Sequence, residues 1–392
     1  MSPGISPLPS PARSTFSESS IRETFGAHKV ERSSAIPEDP DTTLKSKPSI
    51  KINGVQIDEP PRSNKPTTTT PAKRYLGWLS DVVAPLEEFI DGATDPRDHY
   101  IELQEIAEAE SGSVYAARLV KPEVLGLPLD VAFVAIKNVP ILPSGSPKLL
   151  DLKKELTLVR GVTHKNILTM DALYVDLVED SLWIRMELME RSLADVVGLV
   201  AEGLMVQERM IARFASDVLQ ALEYLQKQHI AHRDVRSDNL LLNSNGFLKL
   251  ADFSNAVQVT PENSDCSGAA GVIYWQAPEM RTGGTYHALK VDVWSLGATV
   301  WETAQSEPPF TDIQDPRQFG DRWPSLTHPE IYSRSFHDFL RLCSEPAATR
   351  PDPSDLLNTP FIRNACGRPV NVHLLSQCRA IEETMLEREN DS

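Results

Sequence analysis

The stretch "AHRDVRSDNLLLNSNGFLKLADFS" (Ala231 to Ser254) sets four formal charges and a histidine directly against a leucine run that reads as a buried strand. Asn243 to Gly246 supply turn chemistry, so Leu240 to Leu242 and Phe247 to Ala251 are predicted to pair as a hairpin. If Leu242 pairs near Phe247, Asn239 falls opposite about Leu250. Asp252 then leaves the second strand beside Asn239, because paired strands lie only ~5 Å apart. The hairpin thus gathers Asp234, Asn239 and Asp252 at one open end. Two carboxylates and an amide oxygen at a rigid strand end suit a hard cation such as Mg²⁺. For "HRD" alone, a polar turn with its charges in water is the competing reading, since short motifs recur by chance.

Upstream, "DVAFVAIKNV" (Asp130 to Val139) is apolar on both faces and reads as a buried strand ending near Lys137. The helix "KLLDLKKELTLVRGV" (Lys148 to Val162) follows, with Leu149, Leu152, Leu156 and Val159 as its buried stripe. Glu155 lies at the edge of that stripe, and a carboxylate turned toward a core needs a cationic partner. Lys137 is the candidate; the alternative is that both side chains reach water. "YIELQEIAEAESGSVYAARLV" reads as two strands around a turn at Ser111 and Gly112, and "LWIRMELM" as another strand.

Beyond Ser192 the pattern turns helical. Ile211, Phe214, Val218, Leu222 and Leu225 recur at three and four residues, and "KVDVWSLGATVWETA" is apolar nearly all round, as in a helix at the centre of a lobe. The expected class is therefore α+β, a small β-rich lobe followed by a larger α-helical one. Before these, Trp78, Val82, Val83, Leu86 and Phe89 repeat at helical spacing. Residues 1–73 are rich in Pro, Ser and Thr with few large apolar residues, and are expected to be disordered. "SPLPSPARS" within them reads as a linker, a phosphorylated tail or a docking peptide. The closing "AIEETMLEREN" reads as a helix whose docking the sequence leaves open.

Bulk composition narrows the function. A net charge of −16 and a pI near 5.1 disfavour nucleic acid and anionic membranes as partners. The four cysteines form no C-x-x-C pair, which argues against zinc and for free thiols in a reducing compartment. No signal-peptide core and no apolar run of about 20 residues is present, so no membrane span and a cytoplasmic location are expected.

Taken together, the ordered motifs resemble those of the eukaryotic protein kinases, and as a set they are far more specific than any one alone. "VAIK" carries Lys137, the next helix carries Glu155, "HRDVRSDN" carries Asp234 and Asn239, and "DFS" stands where DFG is usual. "APE" spans Ala277 to Glu279, "DVWSLG" begins at Asp292, and Arg350 matches the glutamate's ion-pair partner. "SGSVY", "SLADVV", "SDNLLL", "VTPENS", "YWQAPEM" and "DPRDHYIEL" resemble the PAK-type branch of the serine/threonine kinases. The resemblance implies a bilobal kinase domain over 100–363, a helical lead-in over 74–99 and a C-terminal extension over 364–392.

It also implies transfer of the γ-phosphate of MgATP to serine or threonine hydroxyls of a protein substrate, by positioning and charge stabilisation. In that reading Lys137 holds the α- and β-phosphates and is oriented by Glu155. Asn239 and Asp252 ligate Mg²⁺, and Asp234 takes or orients the hydroxyl proton. Arg236 replaces the usual lysine and keeps a positive charge near the γ-phosphate. Met186 matches the gatekeeper, and Glu187 and Met189 offer backbone groups to adenine. Ile106, Gly112, Val114, Ala135 and Leu241 complete the nucleotide-binding set.

Several positions depart from the family pattern. Ala107 and Ala109 replace the first two glycines of the phosphate loop, leaving Gly112, and Glu110 adds negative charge there. Weakened nucleotide binding is expected. Ser254 replaces the DFG glycine, Gly268 the phosphothreonine, and Val272 the threonine that contacts the catalytic aspartate. Arg233 is thereby left without an evident anion; Thr260, Ser264 and Ser267 are candidate substitutes that no motif singles out. The stretch after "PPF" is shorter than in the PAK-type branch, and "ISPLPS" with a lone His28 is no GTPase-binding motif. The alternative function is a pseudokinase acting as a scaffold or allosteric binding module; signalling partners reached through the N-terminal segment fit either reading.

Overall fold

The computed structural model describes residues 74–109 and 112–390. The segment 1–73 with its expected disorder and docking motifs, and residues 110 and 111, which include the first residue of the expected Ser111–Gly112 turn, lie outside the described residues.

The smaller lobe begins with helix α1 (Trp78–Val83), continued by a 3-10 segment (Ala84–Phe89). Helical spacing predicted one continuous stripe including Trp78. Instead the α-helix stops before Pro85, whose missing N–H and ring cannot continue it. The inward residues are Tyr75, Leu79, Val83 and Leu86, while Trp78 is 39% exposed. A six-stranded sheet follows, made of β1 (Ile90–Asp91), β2 (Tyr100–Ala109), β3 (Gly112–Leu119), β4 (Phe133–Pro140), β5 (Met170–Asp176) and β6 (Ser181–Met186). Its order is β1-β5-β6-β4-β3-β2, antiparallel except where β1 meets β5. Phe133 to Ile136 are buried in succession, as expected of a strand covered on both faces. Helix α2 (Pro147–Val159) packs Leu149, Leu152 and Leu156 into one cluster with Leu79, Val83 and Leu86 of the lead-in. The lead-in therefore backs the helix that carries Glu155.

The larger lobe contains β7 (Arg191–Ser192), α3 (Leu193–Gly198), α4 (Glu208–Lys227), β8 (Ile230–Ala231), β9 (Leu240–Leu242), β10 (Leu248–Leu250), β11 (Val257–Gln258), β12 (Asp265–Ser267), α5 (Pro278–Arg281) and β13 (Thr285–His287). It continues through α6 (Ala288–Gln305), α7 (Arg334–Cys343), α8 (Pro353–Leu356), α9 (Pro360–Arg363) and α10 (Arg368–Asn390). The expected stripe of α4, Ile211 to Leu225, is buried in the core together with Phe336, Phe339 and Phe361. Helix α6 is buried without a break from Val291 to Thr303, Asp292 and Glu302 included. The architecture is the expected bilobal α+β one.

Leu86 is fully buried in the α2-facing cluster. Leu86→Ala is expected to cost about 2–5 kcal/mol, read as a shift in the midpoint of denaturant unfolding. A loss below about 0.5 kcal/mol would mean that the lead-in is a surface appendage.

Candidate active site

The hairpin β9–β10 forms, with its register one residue from that expected. Leu242 pairs with Leu248 and Leu240 with Leu250. The turn is the larger because the Asn243 side chain accepts the amides of Asn245 (3.1 Å) and Phe247 (2.9 Å). Asn239 consequently faces Ala251, whose amide donates to the Asn239 carbonyl at 2.9 Å. Asp252 follows directly, with a left-handed φ of 64°.

Asp234 is 7% exposed and sits in a cage of donors. Asn239 Nδ2 donates to its backbone oxygen (2.9 Å) and carboxylate (3.2 Å). Asn255 Nδ2 reaches the same carboxylate at 3.3 Å, the Val272 amide at 3.4 Å, and Arg236 Nε lies at 3.5 Å. A backbone N–H thus stands where a threonine hydroxyl was expected. Gly271 permits this approach: with φ 72°, a β-carbon there would lie 2.6 Å from Asp234 Oδ1. Asn255 and Gly271 were not singled out from the sequence, since neither matches a motif position considered there.

A cavity of about 760 Å³ opens beside this cage. Lys137, Glu155, Asn239 and Asp252 line it, as do Ile106, Val114, Ala135, Met186, Glu187, Met189 and Leu241. Gly112, Asp234 and Arg236 are not among its lining residues. Gly112 opens β3 opposite Ala109 of β2 and lies tight against β4: a β-carbon on it would meet the Asn138 carbonyl oxygen at 1.9 Å. Glu187 turns its carboxylate to Asn243 (2.8 Å) and Lys249 rather than holding it free.

Lys137 and Glu155 form no ion pair within 4.0 Å among the described residues. Burial pushes the Glu155 carboxyl up, the nearby Lys137 opposes this, and Asp252 adds to it. Glu155 accepts the Phe253 amide at 3.2 Å. Helix α2 is thereby tied to the residue after Asp252.

The departures from the glycine pattern meet a permissive backbone. Neither Ala107 nor Ser254 has a positive φ, so neither side chain strains the backbone where it stands. Arg233 is held by neutral partners: the Asn255 carbonyl (2.8 Å), Cys266 Sγ (3.3 Å) and the Tyr286 hydroxyl (3.3 Å). Tyr286 in turn donates to the Gly268 carbonyl at 2.9 Å. Glu279 and Arg350 form the expected bidentate pair, at 2.6 and 3.2 Å, with the arginine buried.

The donor set suits Mg²⁺ with a polyphosphate. Asn239 spends its side-chain NH2 on Asp234, leaving its side-chain oxygen Oδ1 without a protein donor among the described residues. That oxygen and the Asp252 carboxylate are hard ligands. No cluster of three or more His, Cys, Asp or Glu forms a complete cage among the described residues. Mg²⁺ fits such a sparse site, because it takes one or two carboxylates and fills its shell with phosphate and water. Arg236 Nε faces the Asp234 carboxylate at 3.5 Å without a hydrogen bond, and Nη1 of the same guanidinium is paired with Asp238.

Helix α6 holds the loop that bears Asp234. Asp292 accepts the amides of His232 (2.8 Å) and Arg233 (2.7 Å). Glu302 accepts the Ser237 hydroxyl and the Trp275 indole N–H (2.9 Å). Burial pushes Glu302 from its ordinary 4.5 up to about 7. A raised native pKa means that the native state holds the proton more tightly than the unfolded chain. This contribution is full below about 4.5 and is lost as pH rises to about 7. The difference in unfolding free energy between wild type and Glu302→Gln is therefore expected to fall over that window, by a few kcal/mol in order of magnitude. Parallel stability–pH curves would contradict it.

A protein kinase domain model matches residues 101–362. The chain is 36% identical over 282 residues to serine/threonine-protein kinase PAK 1 of Mus musculus, covering 69% of this chain and 48% of that one. With pakC of Dictyostelium discoideum it shares 33% over 280 residues, covering 69% and 55%. With pakA of the same organism it shares 31% over 303 residues, covering 76% and 24%. The matched region thus spans between a quarter and about half of these relatives' own length. With Asp234, Asn239, Asp252, Lys137 and Glu155 in the family's order and around one cleft, the chain belongs to the eukaryotic protein kinases and is of PAK type.

Proposed function

We propose that the chain transfers the γ-phosphate of MgATP to serine or threonine hydroxyls of a protein substrate. The observation that carries this reading is the convergence of the Asp234 cage with Lys137, Asn239 and Asp252 at one end of an apolar cavity. Ile106, Val114, Ala135, Met186 and Leu241 give that cavity the apolar walls a purine needs, and the Glu187 and Met189 backbone would orient it. MgATP, when bound, supplies the phosphoryl group and the cation that neutralises its charge. Lys137 would position the phosphates, Asn239 and Asp252 would hold the metal, and Arg236 would keep its positive charge near the transferred group. Asp234, with its carboxylate fixed by Asn239, Asn255 and the Val272 amide, would orient the attacking hydroxyl and receive its proton.

The binding-module reading drew on the lost glycines and the missing phosphothreonine. Ala107 and Ser254 adopt backbone conformations open to any residue. Arg233 is satisfied without phosphate by Asn255, Cys266 and Tyr286. We infer that the activation segment is held by these neutral contacts instead of by a phosphorylated residue. A cytoplasmic location fits the four free cysteines. No described helix is long and apolar enough to cross a membrane. The protein substrate, and signalling partners met through residues 1–73, complete the proposed set.

The test is phosphate incorporation from labelled MgATP into a mixed protein substrate, with phosphoamino-acid identification. Wild type is expected to label serine or threonine, and Asp234→Asn to lose about 10²–10⁴-fold. Equal incorporation by both, or none by wild type, would contradict the assignment.

A further inference from the structure

Helix α10 lies beyond the segment that matches the kinase family. It docks along the larger lobe through Leu374, Leu375 and Cys378, with Ile381 and Met385 continuing the same face. Its first turn is pinned by Arg368, which forms a bidentate pair with the fully buried Asp217, donates to the Gly246 carbonyl and stacks 4.0 Å over Phe247.

The helix then meets the segment that follows Met189. Arg191, with a side chain 3% exposed, donates to both oxygens of Glu382, at 2.8 and 3.0 Å. Glu190 and Arg379 approach to 3.3 Å. Glu190 and Arg191, consecutive residues of the hinge segment that joins β6 to α3, are thus ion-paired to α10 in opposite senses. One turn further on, Met385 and Leu386 reach the cavity that holds Lys137 and Asp252 and line it. Leu386 is 59% exposed, an apolar side chain kept at the cavity rim with no core to enter.

Resting on the nucleotide reading above, we propose that α10 is a wall of the nucleotide site. Met385 and Leu386 cover the hinge end of the cleft, and the Arg191–Glu382 pair holds them there. The bound purine nucleotide is then retained by apolar surface that the kinase domain itself does not supply. A bidentate arginine–carboxylate pair with one buried partner gives the fixed geometry this needs.

The test uses the full chain and MgADP, with affinity from calorimetry and dissociation rate from displacement of a fluorescent ADP. Leu386→Ala removes surface that is already largely exposed, so folding is spared. It is expected to speed dissociation about threefold. Met385→Ala with Leu386→Ala, and Glu382→Gln, are expected to speed it further while MgADP still binds. Unchanged dissociation in all three, with wild type binding normally, would overturn this inference alone. Slower dissociation would also overturn it, since the helix would then obstruct the site. A wild type that binds no MgADP would overturn the nucleotide reading and this inference with it.

Discussion

The structure depends on a buried carboxylate at each end of one helix. Asp292 and Glu302 sit on α6, which is enclosed over its whole middle. Asp292 fixes the backbone at His232 and Arg233, where Arg233 has a left-handed φ of 65°. Glu302 fixes the far side of the same loop through Ser237 and Trp275. Both carboxylates are costly to bury, and each is matched by two donors that the loop would otherwise leave unsatisfied. The loop between them presents Asp234. The His232 ring hydrogen-bonds the Ala251 carbonyl at 3.1 Å and meets Phe253 edge-on at 4.8 Å, which carries the same anchoring to Asp252.

Around that anchor the site is assembled from both lobes. Helix α2 touches it through Glu155 and the Phe253 amide, and is backed in turn by the lead-in residues Leu79, Val83 and Leu86. Helix α10 touches it through Glu190 and Arg191. Segments on either side of the matched domain therefore brace the two structures that frame the cleft, the Glu155 helix and the hinge.

Much of this was legible in the chain because it is local. The Asn243–Gly246 turn, the leucine pair beside it and the polar rim at Asn239 and Asp252 follow from adjacent residues. So do the buried α4 stripe and the apolar α6. The register slipped by one because a side-chain acceptor, Asn243 Oδ1, enlarges the turn in a way that turn composition does not announce. The lead-in stripe shifted because Pro85 ended the helix that periodicity extended. What stayed hidden is long-range. Arg233 looked unpaired because its partners are a carbonyl, a thiol and a phenol 22 to 53 residues away. Asn255 and Gly271 look ordinary until Asp234 is set between them. The docking of α10 needed the positions of Asp217, Glu190 and Arg191, which no periodicity supplies. Lys137 was expected to meet Glu155 directly, and the Phe253 amide takes that carboxylate instead.

The central claim is that Asn239 and Asp252 together form a metal-dependent nucleotide site. The most direct measurement is thermal unfolding of the full chain with ATP in the presence of Mg²⁺ and of a chelator, for wild type and Asp252→Asn. The account predicts stabilisation by ATP that requires Mg²⁺ and disappears in the variant. Stabilisation that is the same with chelator, or that survives in Asp252→Asn, would contradict it.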